Sequence, residues 1–324
     1  MNLKELSDAL QLSPSTVSKA LNNCFGVDAA TRSRILDAAR KAGYAPRRDA
    51  AAIDCILPDS PAYFWRPLFA GLREAGPDCR CHILSSLTDV DMARTYLQQA
   101  AAQGTPVLIV SVPMTSEIRD MLASYARHAL VILLTQFGDI PHTVYVGEDA
   151  YQTGRALGEA CAAHLPGQRR IVRLESPAAH VTTRRSEGFR EAVTAAGARI
   201  VGTITRPEAG PALASCLARE LHDRFGDGFD CVYCNDGVLY HVALAIEKLK
   251  QTGRVVCVGY EYEKRNQKYI DNGVIAAYAE QDPYAQGKLA MKIAAHYLKT
   301  ATFPDSKFVY VPSVIRVNPL YTGG

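Results

Sequence analysis

No apolar run in this 324-residue chain approaches the length of a membrane span, so no membrane-spanning helix and no membrane partner are expected. No signal-peptide pattern lies between Met1-Asn2 and the first amphipathic segment, and a cytoplasmic location is expected. The familiar catalytic signatures are missing as well: no GxSxG elbow, no phosphate-cradling glycine loop and no HExxH. His82, His128 and His241 stand apart from any recognisable partner pattern. An enzyme is therefore not expected. The nine cysteines are an odd number spread along the chain, and Cys55, Cys231, Cys234 and Cys257 lie in apolar, strand-like stretches. Cys231-Val-Tyr-Cys234 has the spacing of a redox or metal pair, but no second pair stands at zinc spacing. Buried, reduced thiols are the expectation, with no metal and no cofactor.

Charge of one sign is also lacking overall: 36 Lys and Arg against 33 Asp and Glu give a net charge of +3. The balance changes when the chain is divided. Lys4, Lys19, Arg32, Arg34, Arg40, Lys41, Arg47 and Arg48 face only Glu5, Asp8, Asp28 and Asp37 in the first 48 residues. A small basic module on a near-neutral body suits phosphate binding at one end only.

That module has helical periodicity. Leu3, Leu6 and Leu10 define one face of a short helix. Ser13 is a natural N-cap and Pro14 suits a first helical turn. In the helix that follows, Val17, Ala20 and Leu21 face inward while Ser15, Thr16, Ser18, Lys19 and Asn22 face outward. Short polar side chains with one cation suit close approach to a major groove. A third helix starts at Asp28 and stops at Gly43. A generic three-helix bundle is the plain alternative.

From Ile53 onward, short apolar runs alternate with amphipathic stretches. Strands are expected at Ile53–Leu57, His82–Ser85, Pro106–Ser111, Leu130–Thr135, Thr143–Gly147, Arg170–Leu174, Ile200–Thr205, Phe229–Cys234, Val255–Gly259, Ile275–Ala279 and Phe308–Val311. Helical stretches include Asp89–Gln103, Asp149–His164, Thr182–Ala196, Asp236–Gln251 and Pro283–Lys299. The strands are mostly continuous rather than alternating, as in parallel sheets covered on both faces. Two similar lobes are expected, with ligand groups beyond the carboxyl ends of the strands. Such groups are present: Tyr63-Phe64-Trp65, Thr135-Gln136, Arg184-Arg185, Asn235-Asp236, Glu261 and Gln281-Asp282. Flat aromatic faces and polar groups together suit a polyhydroxylated ligand. The bland alternatives are that Asp149, Asp236 and Asp282 cap helices, Trp65 fills a core gap, and Arg184 is an exposed helix residue.

The sequence resembles the lac repressor and galactose repressor family of bacterial transcription regulators. The amino-terminal match runs through Leu12-Ser13-x-Ser15-Thr16-Val17-Ser18-Lys19-Ala20-Leu21-Asn22, Gly26-Val27, Thr31-Arg32 and Gly43-Tyr44-x-Pro46. The body resembles the family's periplasmic-binding-protein-like domain through Ile53-x-x-Ile56-x-Pro58-Asp59, Arg185-x-x-Gly188-Phe189, Asn235-Asp236 and Gly259-Tyr260-Glu261, and its later part, Asn272-Gly273 through Ala279-x-Gln281-x-Pro283-x-x-x-Gly287, is especially similar to ribose-type sugar-binding proteins. The resemblance implies a small all-α helix-turn-helix domain (1–46) and a short linker (47–52). An α/β periplasmic-binding-protein-like domain of two doubly wound parallel-sheet lobes (53–324) would follow. Its lobes would comprise about 53–148 with 282–308, and 149–281 with 309–324. It implies a homodimeric, sequence-specific DNA-binding regulator, in the sense of a repressor of a carbohydrate-utilisation operon. A small sugar or sugar-like effector would be held between the lobes, and the sign of its effect stays open. Operator contacts would come from Asn2, Leu3, Pro14, Ser15, Thr16, Ser18, Lys19, Asn22 and Thr31, with Arg47 and Arg48 on phosphate or a narrow minor groove. Effector contacts would come from Phe64 and Trp65 as stacking aromatics, Arg185 as cationic anchor, and Thr135, Gln136, Asn235, Glu261 and Gln281. Thr135-Gln136 stands where such binders commonly carry Asp-Arg, Glu261 replaces an aspartate, and Lys19 an arginine. The linker lacks the usual hinge-helix leucine. The competing class is a cytoplasmic sugar sensor with no direct role on DNA.

Overall fold

A computed structural model describes residues 3–21, 27, 31, 34–35, 37–39, 42, 52–76, 79–165, 169–176, 180–205, 210 and 212–322. Two helices, Leu3–Leu10 and Pro14–Leu21, open the described chain, and Thr31, Arg34, Ile35 and residues 37–39 are also helical. Leu6, Val17, Ala20, Ile35 and Ala39 form a core of their own, with Leu3, Leu10, Leu12, Leu21, Val27 and Ala38 packed against it.

The chain divides into two units, Met1–Val146 with Pro283–Val309, and Gly147–Asp282 with Tyr310–Gly324. The first holds a six-stranded sheet made of β1 (Ile53–Pro58), β2 (Arg80–Leu84), β3 (Val107–Val110), β4 (Leu130–Leu134), β5 (Thr143–Gly147) and β11 (Phe308–Tyr310), in the order β11-β5-β4-β3-β1-β2. The second has β6 (Arg170–Glu175), β7 (Arg199–Thr205), β8 (Cys231–Cys234), β9 (Val256–Tyr260), β10 (Ile275–Glu280) and β12 (Val314–Val317), in the order β12-β10-β9-β8-β6-β7. The two orders are the same series, so each strand has a counterpart in the other unit. Pairing is parallel throughout β2-β1-β3-β4-β5 and β7-β6-β8-β9-β10, and antiparallel between β10 and β12.

Burial explains the continuous apolar strands. In β3, β4 and β8 every residue is buried, because helices cover both faces. Ile53, Cys55, Leu57, Val107 and Ile109 enter one core cluster, while Ile56, Leu108 and Val110 enter another across the sheet. Each such Leu, Ile or Val contributes roughly 1.5–3 kcal/mol by leaving water. All eleven expected strand segments coincide with strands. The twelfth, β12, is missed because it is an edge strand with alternating exposure, Val314 being 48% exposed. The helix Ala62–Ala75 also goes unread: Pro67 stands inside it, and its aromatic run Tyr63-Phe64-Trp65 reads as a loop.

In each unit the helix after the first strand crosses a partner helix with backbone nearly touching backbone. A Cβ on Gly71 would lie 2.0 Å from the Tyr284 carbonyl oxygen, and one on Gly287 2.1 Å from that of Leu68. The counterparts in the second unit are Gly188 against Tyr151 and Gly154 against Arg185, both at 2.1 Å. These contacts fix where Arg185 lies.

The amino end of the first sheet is held by a buried charge. Asp54, 0% exposed, accepts from Arg80 Nε (2.5 Å), Arg80 Nη2 (2.6 Å) and Thr105 Oγ1 (2.7 Å), with His82 Nε2 at 3.1 Å. Burial works to raise its pKa, but the hydrogen bonds from His82, Arg80 and Thr105 override that and hold the carboxyl at about 2. Because the folded value lies below the unfolded one, the gain is full above pH 4 and is lost as pH falls toward 2. It amounts to about 2 kcal/mol. Asp54→Asn is expected to lose about 2–4 kcal/mol at pH 7 by leaving Arg80 without its counter-charge. Urea denaturation at several pH values checks this: the gap to wild type should narrow as pH falls from 4 toward 2, and a gap independent of pH would contradict the assignment.

Candidate functional site

The order of strands reverses between β1 and β3 in the first unit and between β6 and β8 in the second, which places the carboxyl strand ends there in the position where such sheets bind ligands. In the second unit Asn235 sits at that point, directly after β8. Its Oδ1 accepts from Ser176 N (3.0 Å) at the end of β6, and its Nδ2 donates to Thr182 O (3.3 Å) and Ser186 Oγ (3.1 Å). Both amide hydrogens are thus in use. Asn235 staples the ends of two strands to the helix His180–Ala195, and one acceptor lone pair is all its side chain could offer a ligand.

Arg185 lies on that helix and is 6% exposed. Its Nε and Nη2 both donate to Oε1 of Glu148, itself 2% exposed, and Nη1 donates to the Asn235 carbonyl (3.1 Å). Ser313 Oγ donates to the other Glu148 oxygen (3.0 Å). The guanidinium lies 4.0 Å above the Tyr260 ring, and Tyr233, edge-on to Tyr260, stacks on Phe189 at 3.8 Å. Burial alone would lower the Arg185 pKa, but Glu148, Tyr260 and Glu261 hold it above its ordinary value. Two N–H groups of the five remain for other partners. Arg185 is therefore a sunk, compensated cation rather than a free anchor. Glu148, which completes it, is 37 residues away and carried no motif; nothing in the sequence signalled it.

Glu261 follows β9 with φ +66°, in the left-handed region that glutamate seldom adopts. Its backbone is held there by Glu261 N–H to Ala279 O (2.8 Å) and by Asn266 Nδ2 to Glu261 O (3.2 Å). Gln281 Nε2 donates to its carboxylate (2.5 Å). So Arg185, Asn235, Glu261 and Gln281, four residues proposed from sequence, belong to one unit, and the first two share a hydrogen bond, as do the last two. Burial pushes the Glu261 carboxyl up to about 7, against the opposing pull of Arg185 and Gln281.

The first unit has matching positions. Thr135 follows β4, the counterpart of β9, and also has positive φ, +64°. The Gln136 N–H donates to Leu134 O (2.8 Å), a γ-turn, and Thr135 N–H to Val146 O (2.9 Å). Thr135 Oγ1 lies 3.0 Å from Oγ of Ser111, a fully buried residue after β3 that the sequence reading passed over. Glu261 and Thr135 thus share an unusual left-handed conformation at equivalent strand ends. The aromatic pair needs correction. Trp65 is 3% exposed and belongs to the core of the first unit, so its ring offers no stacking face. Phe64, half-buried and edge-on to Trp65 at 5.3 Å, retains one. Asp149 caps the helix Ala150–His164, accepting from Gln152 N (3.1 Å), and is a structural residue. Cys231 and Cys234 do not converge: three apart on a strand, they point into different cores.

At the amino terminus Ser13 caps its helix as its spacing suggests, accepting from Thr16 N (3.1 Å), and its Oγ meets Thr16 Oγ1 at 2.7 Å. Arg34 Nη2 donates to Leu10 O (3.3 Å), tying the third helical segment to the first helix. Pro14 and Ser15 are exposed, and Thr16, Ser18 and Thr31 partly so. Leu3 is half-buried and packs against the small core. Asn2, Asn22, Arg47, Arg48 and the Lys19 side chain lie outside the described residues.

Residues 53–302 match the periplasmic binding protein domain family, and the chain belongs to it. The HTH-type transcriptional regulator AglR of Rhizobium meliloti (strain 1021) is 29% identical over 213 residues, 61% of this chain. The match spans 59% of that relative's length. Among solved structures, GanP, a glucose-galactose binding protein from Geobacillus stearothermophilus, superposes with TM-score 0.75 at 20% identity, covering 83% of this chain and 98% of that one. A LacI-family transcriptional regulator from Silicibacter pomeroyi gives TM-score 0.67 at 21% identity over 98% of both chains. Residues 53–302 are thus a domain of the binding-protein type. Among the described residues, no helix is long and apolar enough to cross a membrane.

Because the folded pKa of Glu261 is raised, the folded state holds a proton that the unfolded chain has released, and stability should fall as pH rises from about 4.5 to about 7. Glu261→Gln removes that slope, and is expected to raise stability at pH 8 by about 2–3 kcal/mol relative to wild type. Denaturation midpoints for both proteins between pH 5 and 8 check this; parallel curves would show that Glu261 ionises as in water.

Proposed function

We propose that this chain is a sugar-responsive transcription regulator. Residues 1–46 form the helix-turn-helix DNA-binding head of a cytoplasmic homodimer, 47–52 the linker, and the periplasmic-binding-protein-like remainder takes a small sugar or sugar-like effector. The observation that carries the reading is the coexistence, in one chain, of a capped helix with Pro14, Ser15, Thr16 and Ser18 wholly or partly exposed and a binding-protein fold. The AglR match and the likeness in fold to a LacI-family regulator over nearly the full chain support it.

In this reading Ser15, Thr16, Ser18, Lys19 and Asn22 address the major groove, and Arg47 and Arg48 the backbone or a narrow minor groove. One head supplies few contacts, so two heads on a near-palindromic site supply the specificity. Glu261 and Gln281 in the second unit, and Phe64, Thr135 and Gln136 in the first, are the effector contacts. Arg185 contributes its two remaining N–H groups, and Asn235 positions the strand ends. The sugar-binding fold neighbours support a polyhydroxylated ligand, for which a buried carboxyl and a flat ring are suited.

Arg185→Ala would leave Glu148 buried and unpaired, so it reports on folding as much as on ligand. Lys19→Ala is the cleaner substitution. It should weaken binding to DNA from upstream of the protein's own gene by ~1–3 kcal/mol while random duplex binds nearly as before. Fluorescence anisotropy on both duplexes measures this; equal losses would reduce Lys19 to a phosphate contact, and failure of the wild type to bind either duplex at low salt would favour a sugar sensor with no role on DNA.

A further inference from the structure

We propose that Cys55, Cys79 and Cys81 form a three-coordinate sulfur site for a soft monovalent metal ion of the Cu(I) type. The three sulfurs lie within 4.8 Å of one another, and Cys79 Sγ is 3.7 Å from Cys81 Sγ. An ion about 2.3 Å from each of three sulfurs in one plane sets those sulfurs about 4.0 Å apart, close to the Cys79–Cys81 separation and within the span of the group.

The strand geometry creates the cluster. Cys55 on β1 and Cys81 on β2 are register partners in a parallel pair, and Cys79, two residues before Cys81, points to the same face. Asp54 and His82, next to them in sequence, point to the opposite face and are committed to each other, Arg80 and Thr105. Cys55 is buried while Cys79 and Cys81 are half-buried, which gives an ion access from one side and shields it on the other. Among the described residues the group offers three ligand atoms and no fourth histidine, cysteine or carboxylate. That favours an ion content with three soft ligands over zinc, which takes four in structural sites. Cys79 and Cys81 are alternate residues on extended chain, whose Cα atoms stand about 6.6 Å apart, at the outer edge of disulfide geometry. Binding Cu(I) releases the thiol protons of the coordinating cysteines to water, with no change of oxidation state in metal or sulfur.

The proposal is independent of the effector reading and of DNA binding. Its test is a competition titration of the fully reduced full-length protein, without oxygen, against a chromophoric Cu(I) chelator. One ion per chain should transfer from the chelator, and X-ray absorption at the copper edge should report three sulfur neighbours. Cys79→Ser and Cys81→Ser should each lower the affinity at least 100-fold, with unchanged far-ultraviolet circular dichroism, while Cys216→Ser leaves it as it was. Zn(II) should bind more weakly than Cu(I). Copper left with the chelator, two or four sulfur neighbours, tighter zinc than copper, or full affinity in the Cys79→Ser, Cys81→Ser double variant would each overturn the site.

Discussion

The second unit is organised around one buried positive charge. Taking a guanidinium out of water costs several kcal/mol unless opposite charge and hydrogen bonds replace the lost solvent. Arg185 obtains these from Glu148, the Asn235 carbonyl and the face of Tyr260, which come from three separate segments of the chain. Ser313 then satisfies the second Glu148 oxygen from a fourth. The contact of Gly154 with the Arg185 backbone, and of Gly188 with Tyr151, brings this helix close enough for the pairing to form. Asn235, at the reversal of strand order, fixes the same helix from the other side. The polar strand ends around Arg185 and Asn235 are thus one network, and Glu261 and Gln281 form a second hydrogen-bonded pair in the same unit.

Each unit carries a buried carboxylate whose pKa is moved in the opposite sense. Asp54, at the amino end of the first sheet, is surrounded by donors and stays charged into acid. Glu261, beyond the carboxyl end of β9, is buried with fewer donors and holds its proton to about pH 7. The first arrangement stabilises the fold; the second costs stability near neutrality, as groups at binding sites commonly do. The strained backbone at Glu261 and at its counterpart Thr135 points the same way.

The fold was readable because parallel strands covered on both faces must be apolar throughout, and runs such as Leu130–Leu134 have no other plausible use. The N-cap at Ser13 and the cap at Asp149 were readable because they depend on local spacing. What escaped depends on contacts distant in sequence. Glu148 became important only through Arg185, and Ser111 only through Thr135. Trp65 looked like a ligand face because an aromatic run after a strand says nothing about which way a helix will turn it. The cysteines show the same limit in reverse. Spacing drew attention to Cys231 and Cys234, which strand geometry sends to opposite faces, while Cys55, Cys79 and Cys81 meet only through the pairing of β1 with β2.

In the proposed function, a ligand held by the binding-protein fold alters the hold of the amino-terminal head on DNA. It is tested most directly by measuring operator affinity with and without a sugar shown to raise the protein's thermal midpoint, at fixed salt. The expected change is about 5- to 150-fold in either direction, the usual span of coupling between two sites. An operator affinity unchanged by every sugar that binds would contradict it.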